Sequence, residues 1–386
     1  MFAGFYEELH EEFRELAREF SAREVAPHYA DWEKAHRMDR SLWTAAGEQG
    51  LLGLAVPEEF GGMGLNDYRF RMVLDEELCR AGHESVGLAF HLHDDWVLPA
   101  LLRYGNDEQQ GRWLPRMVDG SLVTSVAWTE PGCGSDLRGV RTKAVPDGED
   151  WVLDGQKTFI GNGITGDAAL VLARTDGSSP TERGGAHSFS LFFVEKTAGY
   201  DVGSPLEKMG LTASDTAELF FTGVRVPGAN LIGELGAGLR YVHELLPQGR
   251  LAVATSSVVL AAQTLRATRE YVSQRQVSDR TVDEFQNTRF RLADMQVSLE
   301  VTQHYVAQAV TRFNDGELSL TDASKAKMWA SERAKELIDQ CLQLHGGYGY
   351  ILEYPVAKAY LAVRLFTIFG GTSEVLRDTI ARDLVS

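Results

Sequence analysis

Ile368-Phe369-Gly370-Gly371-Thr372-Ser373-Glu374-Val375, close to the end of the chain, is a bare Gly-Gly step followed by a hydroxyl that opens a helix. Free N–H groups at such a helix start favour an anion, and two glycines leave space for another group to approach the backbone. Its counterpart is Thr129-Glu130-Pro131-Gly132-Cys133-Gly134-Ser135-Asp136, a hydroxyl and a Gly-rich turn placed just after a strand. Backbone donors and a short hydroxyl there suit the edge of a planar ring or a pyrophosphate. The same composition also serves in a plain strand-end loop.

The chain around these stretches divides by hydrophobic period. Phe5, Leu9, Phe13, Leu16 and Phe20 recur at three and four residues, and Ala89–Tyr104 continues the apolar helical pattern. Between about Leu122 and Ile232 the pattern shortens to β-type runs: Val140–Val145, Trp151–Leu153, Lys157–Ile160, Ala168–Ala173, Phe189–Val194 and Glu218–Val226. Pro146-Asp147-Gly148 and Asp154-Gly155 are the tight-turn signals between them. Strands without intervening helices predict an antiparallel barrel or sandwich rather than a nucleotide-binding βαβ sheet. From Arg250 onward long helical patterns return, with Thr321 as an N-cap for one of them and a bundle as their packing. The low-complexity stretch Asp176–Ala186 reads as a surface loop.

Composition narrows the function. The net charge of −17 disfavours generic nucleic-acid binding, and no run approaches the roughly 18 uninterrupted apolar residues of a membrane span. Cys79, Cys133 and Cys341 show neither disulfide nor zinc spacing, so no metal is expected. The N-terminus, Met1-Phe2-Ala3-Gly4-Phe5-Tyr6-Glu7-Glu8, is acidic without a basic leader, which makes a cytoplasmic protein the expectation.

Together these segments resemble the acyl-CoA dehydrogenase family across essentially the whole chain. Pro57-Glu58-Glu59-Phe60-Gly61-Gly62-Met63-Gly64, Asp154-Gly155-Gln156-Lys157-Thr158-Phe159-Ile160-Gly161-Asn162-Gly163 and Leu344-His345-Gly346-Gly347-Tyr348-Gly349-Tyr350 add to the match, which is closest to the long-chain branch. The resemblance implies an α+β fold: an N-terminal α-helical domain over 1–121, a middle antiparallel β-barrel domain over 122–233 and a C-terminal four-helix bundle over 234–386. It implies FAD, held by Trp128, Thr129, Gly134, Ser135, Phe159, Ile160, Gly161, Arg275, Gln286, Gln343, Gly346, Gly347, Thr372 and Glu374. Some of these reach the FAD of a neighbouring subunit, so a homo-oligomer follows, a dimer or a dimer of dimers. For Gly346-Gly347 a simple helix C-cap is the plainer reading. The implied substrate is an acyl thioester of coenzyme A or acyl carrier protein, contacted by Ser135, Arg250, Gly370 and Gly371. An electron-transfer flavoprotein or similar acceptor would reoxidise the flavin.

One part of the family pattern is missing. Removing an α-proton from a thioester needs an adjacent carboxylate, which relatives carry at the position of Gly370 or of Gly249. Neither glycine accepts a proton. Two glycines at the flavin face are expected to open the pocket, so that an acyl chain slides deeper and is desaturated beyond α,β, at γ,δ, as in secondary metabolism. A flavin monooxygenase of the same fold and a base-less, non-catalytic partner subunit are the competing readings. Substitute bases are sought in His91-Leu92-His93-Asp94-Asp95, where His91, Asp94 and Asp95 stand against the plainer reading of a hydrophilic face or a satisfied histidine. Gly161 also stands where relatives carry a hydroxyl for flavin N5.

Overall fold

Apolar periodicity at the start of the chain becomes a stack of helices in the computed structural model, which describes residues 4–177 and 183–385. Met1-Phe2-Ala3 and residues 178–182 of the 176–186 loop lie outside the described residues. Helix α1 (Glu8–Phe20) buries Phe13, Ala17 and Phe20, and a capping box between Glu7 and His10 starts it. Helices α2 (Tyr29–Ala35), α3 (Arg40–Glu48), α4 (Arg69–Arg80), α5 (Glu84–His91), α6 (Leu98–Tyr104) and α7 (Asp107–Val118) follow. The Leu51–Val56 segment is buried but is loop rather than helix. Between α5 and α6 the chain makes a π-helical turn, Leu92–Val97, instead of breaking. Such turns re-aim the side chains they carry and recur at functional sites.

The middle of the chain forms strands β1 (Thr124–Ala127), β2 (Lys143–Asp147), β3 (Asp150–Gly161), β4 (Ala168–Arg174), β5 (Phe189–Glu195), β6 (Tyr200–Val202), β7 (Thr216–Val226) and β8 (Leu231–Ile232). They pair in the order β6-β7-β3-β2-β4-β5-β8, with β1 beside β4; pairings with β4 from β1 and β2 are parallel and the others antiparallel. Ala169, Val171 and Phe192 enter a core shared by strands β1 to β7, while Leu170, Leu172 and Phe193 pack on α6 and α7. Because β4 is buried on both faces, it reads as a continuous apolar run.

Two sequence expectations are corrected here. Asp154-Gly155 is not a turn: β3 runs through it with a register shift between Leu153 and Gly155, and the predicted strands Trp151–Leu153 and Lys157–Ile160 are one. A Cβ at Gly155 would lie 2.4 Å from Thr142 Oγ1, so the glycine serves close strand approach within a bulge. The N-cap expected at Thr321 is instead Ser319, whose side chain accepts the Asp322 N–H.

Helix α8 (Gly238–Gln274) crosses the C-terminal half, followed by α9 (Gln286–Asn314), α10 (Leu320–His345), α11 (Pro355–Phe366) and α12 (Ser373–Val385). α8 is long and apolar enough to cross a membrane, but 78% of its most apolar window is buried inside the protein. It is the central helix of the bundle, packed by α9, α10 and α11.

A buried ion pair fastens the middle segment. Lys157 on β3 is fully enclosed and donates to Glu130 at 2.8 Å and to the Leu172 carbonyl at 2.7 Å. Glu130 also accepts the N–H groups of Arg141 and Thr142 at 2.7 and 2.9 Å. Replacing Lys157 by Met strands that carboxylate, and the expected loss is about 3–5 kcal/mol in urea denaturation. Pairing Lys157→Met with Glu130→Gln is expected to recover most of it.

Candidate active site

The Glu130–Lys157 pair sets the first wall of the site, because it holds the turn after β1. Trp128 and Thr129 lie on this turn, and the Thr158 N–H donates to the Thr129 carbonyl at 3.0 Å. Next to it Phe159 is 71% exposed and sits at φ 58°. A left-handed aromatic costs of order 1–3 kcal/mol and is retained where a site needs it. Trp128 is buried, yet among the described residues its indole N–H finds no acceptor. Ile160 is buried, while Gly134 and Ser135 stand exposed at the rim. A Cβ at Gly161 would lie 2.4 Å from Leu92 Cδ1, so the π-turn's leucine takes the space where a hydroxyl would stand.

The second wall is the Gly370–Gly371 turn, with φ values of 66° and 100° that glycine tolerates. Arg250 Nε donates to the Gly370 carbonyl at 3.3 Å, and Lys327 Nζ to the Gly371 carbonyl at 2.6 Å. Burial pulls the Arg250 guanidinium down to about 10. Burial, with the Arg250 charge beside it, pulls Lys327 down to about 7. Among the described residues nothing accepts a hydrogen bond from the Gly370 N–H. Thr372 and Glu374 follow at the start of α12.

Gly249 does not open the pocket, contrary to the expectation from sequence, because Trp96 takes its place. A Cβ on Gly249 would lie 2.3 Å from Trp96 Cε2 and Cζ2, and one on Gly370 would touch the same ring at 3.6 Å. The Trp96 indole therefore occupies the volume that a side chain at 249 would use and lies in van der Waals contact beside position 370. It packs edge-on against Trp128, with centroids 5.7 Å apart.

Beyond Trp96 lies an inner cavity of about 20 Å³, lined by Val253, Ser256 and Leu260 of α8, Asp75 and Cys79 of α4, His91, Phe366 and Phe369. Gly249, Val253, Ser256 and Leu260 share one face of α8, which places Ser256 roughly 10 Å further along the helix than Gly249. His91 bridges two carboxylates: Nε2 donates to Asp75 Oδ2 at 2.6 Å, and Nδ1 donates to Asp95. Ser256 Oγ donates to the same Asp75 oxygen at 2.9 Å. Burial works against a charged ring, but Asp75 and Asp95 outweigh it and push His91 up to about 9.

Of the three proposed substitutes for the base, only His91 reaches the inner cavity. Asp94 and Asp95 line a separate outer cavity of about 200 Å³, with Arg71, Arg103 and Gln248. Asp94 is paired with Arg71, and Gln248 donates to Asp95 Oδ1 at 3.2 Å. His93 turns elsewhere, to Thr124 and the Met117 carbonyl. Sequence reasoning missed Trp96, Asp75 and Ser256. Asp75 sits inside the charged run of α4, which reads as a solvated face although Arg71, Asp75, Glu76 and Glu77 are all buried.

A third recess, of about 470 Å³, gathers Arg275, Gln343, Gly346 and Gly347 with Tyr271 and Tyr348. Arg275 stacks over Tyr348 at 5.4 Å and has no ion pair among the described residues. Gln286, at the start of α9, is exposed and does not line this recess. An unpaired arginine fork beside backbone donors suits phosphate oxygens, and the exposed Phe159 and orphaned Trp128 N–H suit an aromatic ring system. The residues present therefore fit a flavin dinucleotide.

These features define a flavoprotein oxidoreductase built from helices around a β core. Models of the acyl-CoA dehydrogenase N-terminal, middle and C-terminal domains match residues 7–121, 125–224 and 236–385, and the chain belongs to the acyl-CoA dehydrogenase family. It is 42% identical to the long-chain specific acyl-CoA dehydrogenase of Sus scrofa mitochondria over 377 residues, 97% of this chain and 86% of that one. The crystal structure of an acyl-CoA dehydrogenase from Geobacillus kaustophilus superposes with TM-score 0.95 at 41% identity, covering 99% of both chains. One from Bacillus anthracis, complexed with FAD, superposes at 0.89 with 29% identity, covering 98% of this chain and 67% of that one. The protein is accordingly an FAD-dependent oxidoreductase acting on CH–CH bonds.

Two outcomes test this geometry. Gly249→Ala is expected to destabilise the protein by about 1–3 kcal/mol through overlap with the indole, and Trp96→Ala to relieve that overlap in the double variant, read as coupling in a thermodynamic cycle. For Lys327 the unfolded chain binds more protons than the folded one between pH 7 and 10.5, so its contribution to stability rises with pH across that window. The stability difference between wild type and Lys327→Met is expected to shift in the wild type's favour from pH 7 to pH 9 in paired denaturation curves.

Proposed function

We propose that this enzyme desaturates a short, already α,β-unsaturated acyl thioester at its γ,δ bond. The observation that carries the reading is Trp96. With its indole over Gly249 and beside Gly370, neither usual position carries a carboxylate, and deeper in the site Asp75 of α4 is held by His91 and by Ser256 of α8. A conjugated enoyl thioester passes the carbonyl's acidifying effect to its γ-carbon, so a base set deeper than usual has an acidic proton to take. FAD supplies the two-electron acceptor for the δ-hydride.

Other residues position the substrate. Arg250 and Lys327 draw the Gly370 and Gly371 carbonyls back, which leaves the Gly370 N–H to polarise the thioester oxygen. Ser135, at the exposed rim, suits the pantetheine arm of coenzyme A or of acyl carrier protein. A cavity of about 20 Å³ beyond Trp96 holds about one water. The acyl group is therefore short, despite the kinship with long-chain enzymes. The Arg275 recess is separate from the Thr129 and Gly370 walls, which supports a homo-oligomer in which a neighbour completes each FAD site. An electron-transfer flavoprotein or a similar acceptor removes the electrons in the cytoplasm.

Anaerobic titration of the FAD-loaded protein tests the reading. Bleaching of the flavin by a short enoyl thioester, with a dienoyl product and none from the saturated ligand, is the expected result. Bleaching by the saturated thioester would overturn it. Tight binding of both ligands without bleaching would favour a non-catalytic subunit, and oxygen-dependent product formation with a flavin reductase a monooxygenase.

A further inference from the structure

The inner and outer cavities share no lining residue, yet one hydrogen-bonded chain joins them. Asp75 and His91 face the inner cavity, Asp95 faces the outer one, and His91 spans the gap with one ring nitrogen on each carboxylate. Three elements converge there: α4 brings Asp75 and Arg71, the π-turn brings Asp94 and Asp95, and α8 brings Gln248 and Ser256. A buried charge cluster that served stability alone would have no reason to reach two cavities.

We propose that Asp75, His91 and Asp95 form a relay that expels a proton into the outer cavity each time the inner cavity takes one from the substrate. The inference rests on the reading that a C–H proton of the acyl chain is lost in the inner cavity. The C–H bond breaks with its electron pair left on the conjugated chain, and the proton goes to the Asp75 carboxylate. Neutral Asp75 no longer balances the imidazolium, so His91 gives its Nδ1 proton to Asp95, which releases it to water. When the product leaves, Asp75 gives its proton to water that re-enters the inner cavity and His91 takes one back through Asp95, which restores the resting charges. The hydride and its two electrons go to the flavin, so no further reactant is required.

Asp95 is suited to the release step. Burial opposes its charge, but Arg71 and His91 outweigh that and hold it below the usual carboxylate range, so a transferred proton leaves readily. Asp94 is not in the path: it accepts from Arg71 and from the Gly53 N–H, and it does not touch His91. His91 and Asp95 act here through Asp75 and are positioning and relay residues.

The test is stopped-flow reduction of the FAD-loaded enzyme by a short enoyl thioester in weak buffer, following flavin bleaching and a pH-indicator dye together. Wild type and Asp94→Asn are expected to release a proton in step with bleaching. Asp95→Asn is expected to bleach in the first turnover while proton release lags by roughly 100-fold, and Asp95→Glu to restore it. Release that keeps pace with bleaching in Asp95→Asn would overturn the relay while leaving the desaturation standing. Absence of bleaching in the wild type would overturn both. Should Asp95→Asn fail to fold, the proton inventory of wild-type release in mixed H2O and D2O decides the matter: a bowed dependence supports several protons in flight, and a straight line overturns the relay.

Discussion

The indole of Trp96 resting on the bare backbone of Gly249 is the contact around which the site is arranged. A ring this large at the meeting point of α8, the π-turn and the Gly370–Gly371 turn excludes any side chain from position 249. It is placed there because the helix from α5 to α6 inserts a π-turn instead of running straight. The same turn carries Leu92 into the space beside Gly161, and Asp94 and Asp95 toward Arg71. One local change of helical pitch thus accounts for the filled glycine positions and for the charged cluster behind them.

Most of the fold was legible in the sequence because it rests on periodicities that survive burial. Leu9, Phe13, Leu16 and Phe20 mark α1, and the unbroken apolar run of β4 marks a strand covered on both faces. The misreadings occur where a local signal has two physical meanings. Asp154-Gly155 has turn chemistry, but its glycine answers a close approach by Thr142 across the sheet. Glycine at 249 and 370 signals a missing side chain, and sequence alone does not say what fills the space. That answer lies with Trp96, more than 150 positions away in the chain, and only packing reveals it.

The same limit explains the candidate bases. His91, Asp94 and Asp95 are close in sequence, yet the last residue of α5 sends the histidine to one cavity and the π-turn after it the two carboxylates to another. Asp75 and Ser256 come from α4 and α8 and join the histidine only in three dimensions. The segments expected to contact FAD were read directly from the sequence, since Gly-rich turns and an arginine at a helix end are suited to hold such a ligand through backbone groups and a single fork.

Similarity to long-chain relatives and a cavity for about one water are compatible once the two are seen to depend on different residues. The fold is set by several dozen core positions spread over the whole chain, and 42% identity over 97% of it goes with the same fold. Under the proposed γ,δ chemistry, the depth available to an acyl chain is set by Trp96, Phe366, Phe369 and Leu260, with Asp75 and His91 at the inner end. A long apolar chain driven into this cavity would displace those rings and leave the charges against hydrocarbon, and each polar group so stranded carries a desolvation cost of about 1–3 kcal/mol or more. A short conjugated chain would meet neither obstacle, because in the proposed reaction its reacting carbon stands next to the polar groups rather than beyond them. Size and polarity of the cavity therefore favour the same class of acyl group, and the proposed base stands where that group would stop.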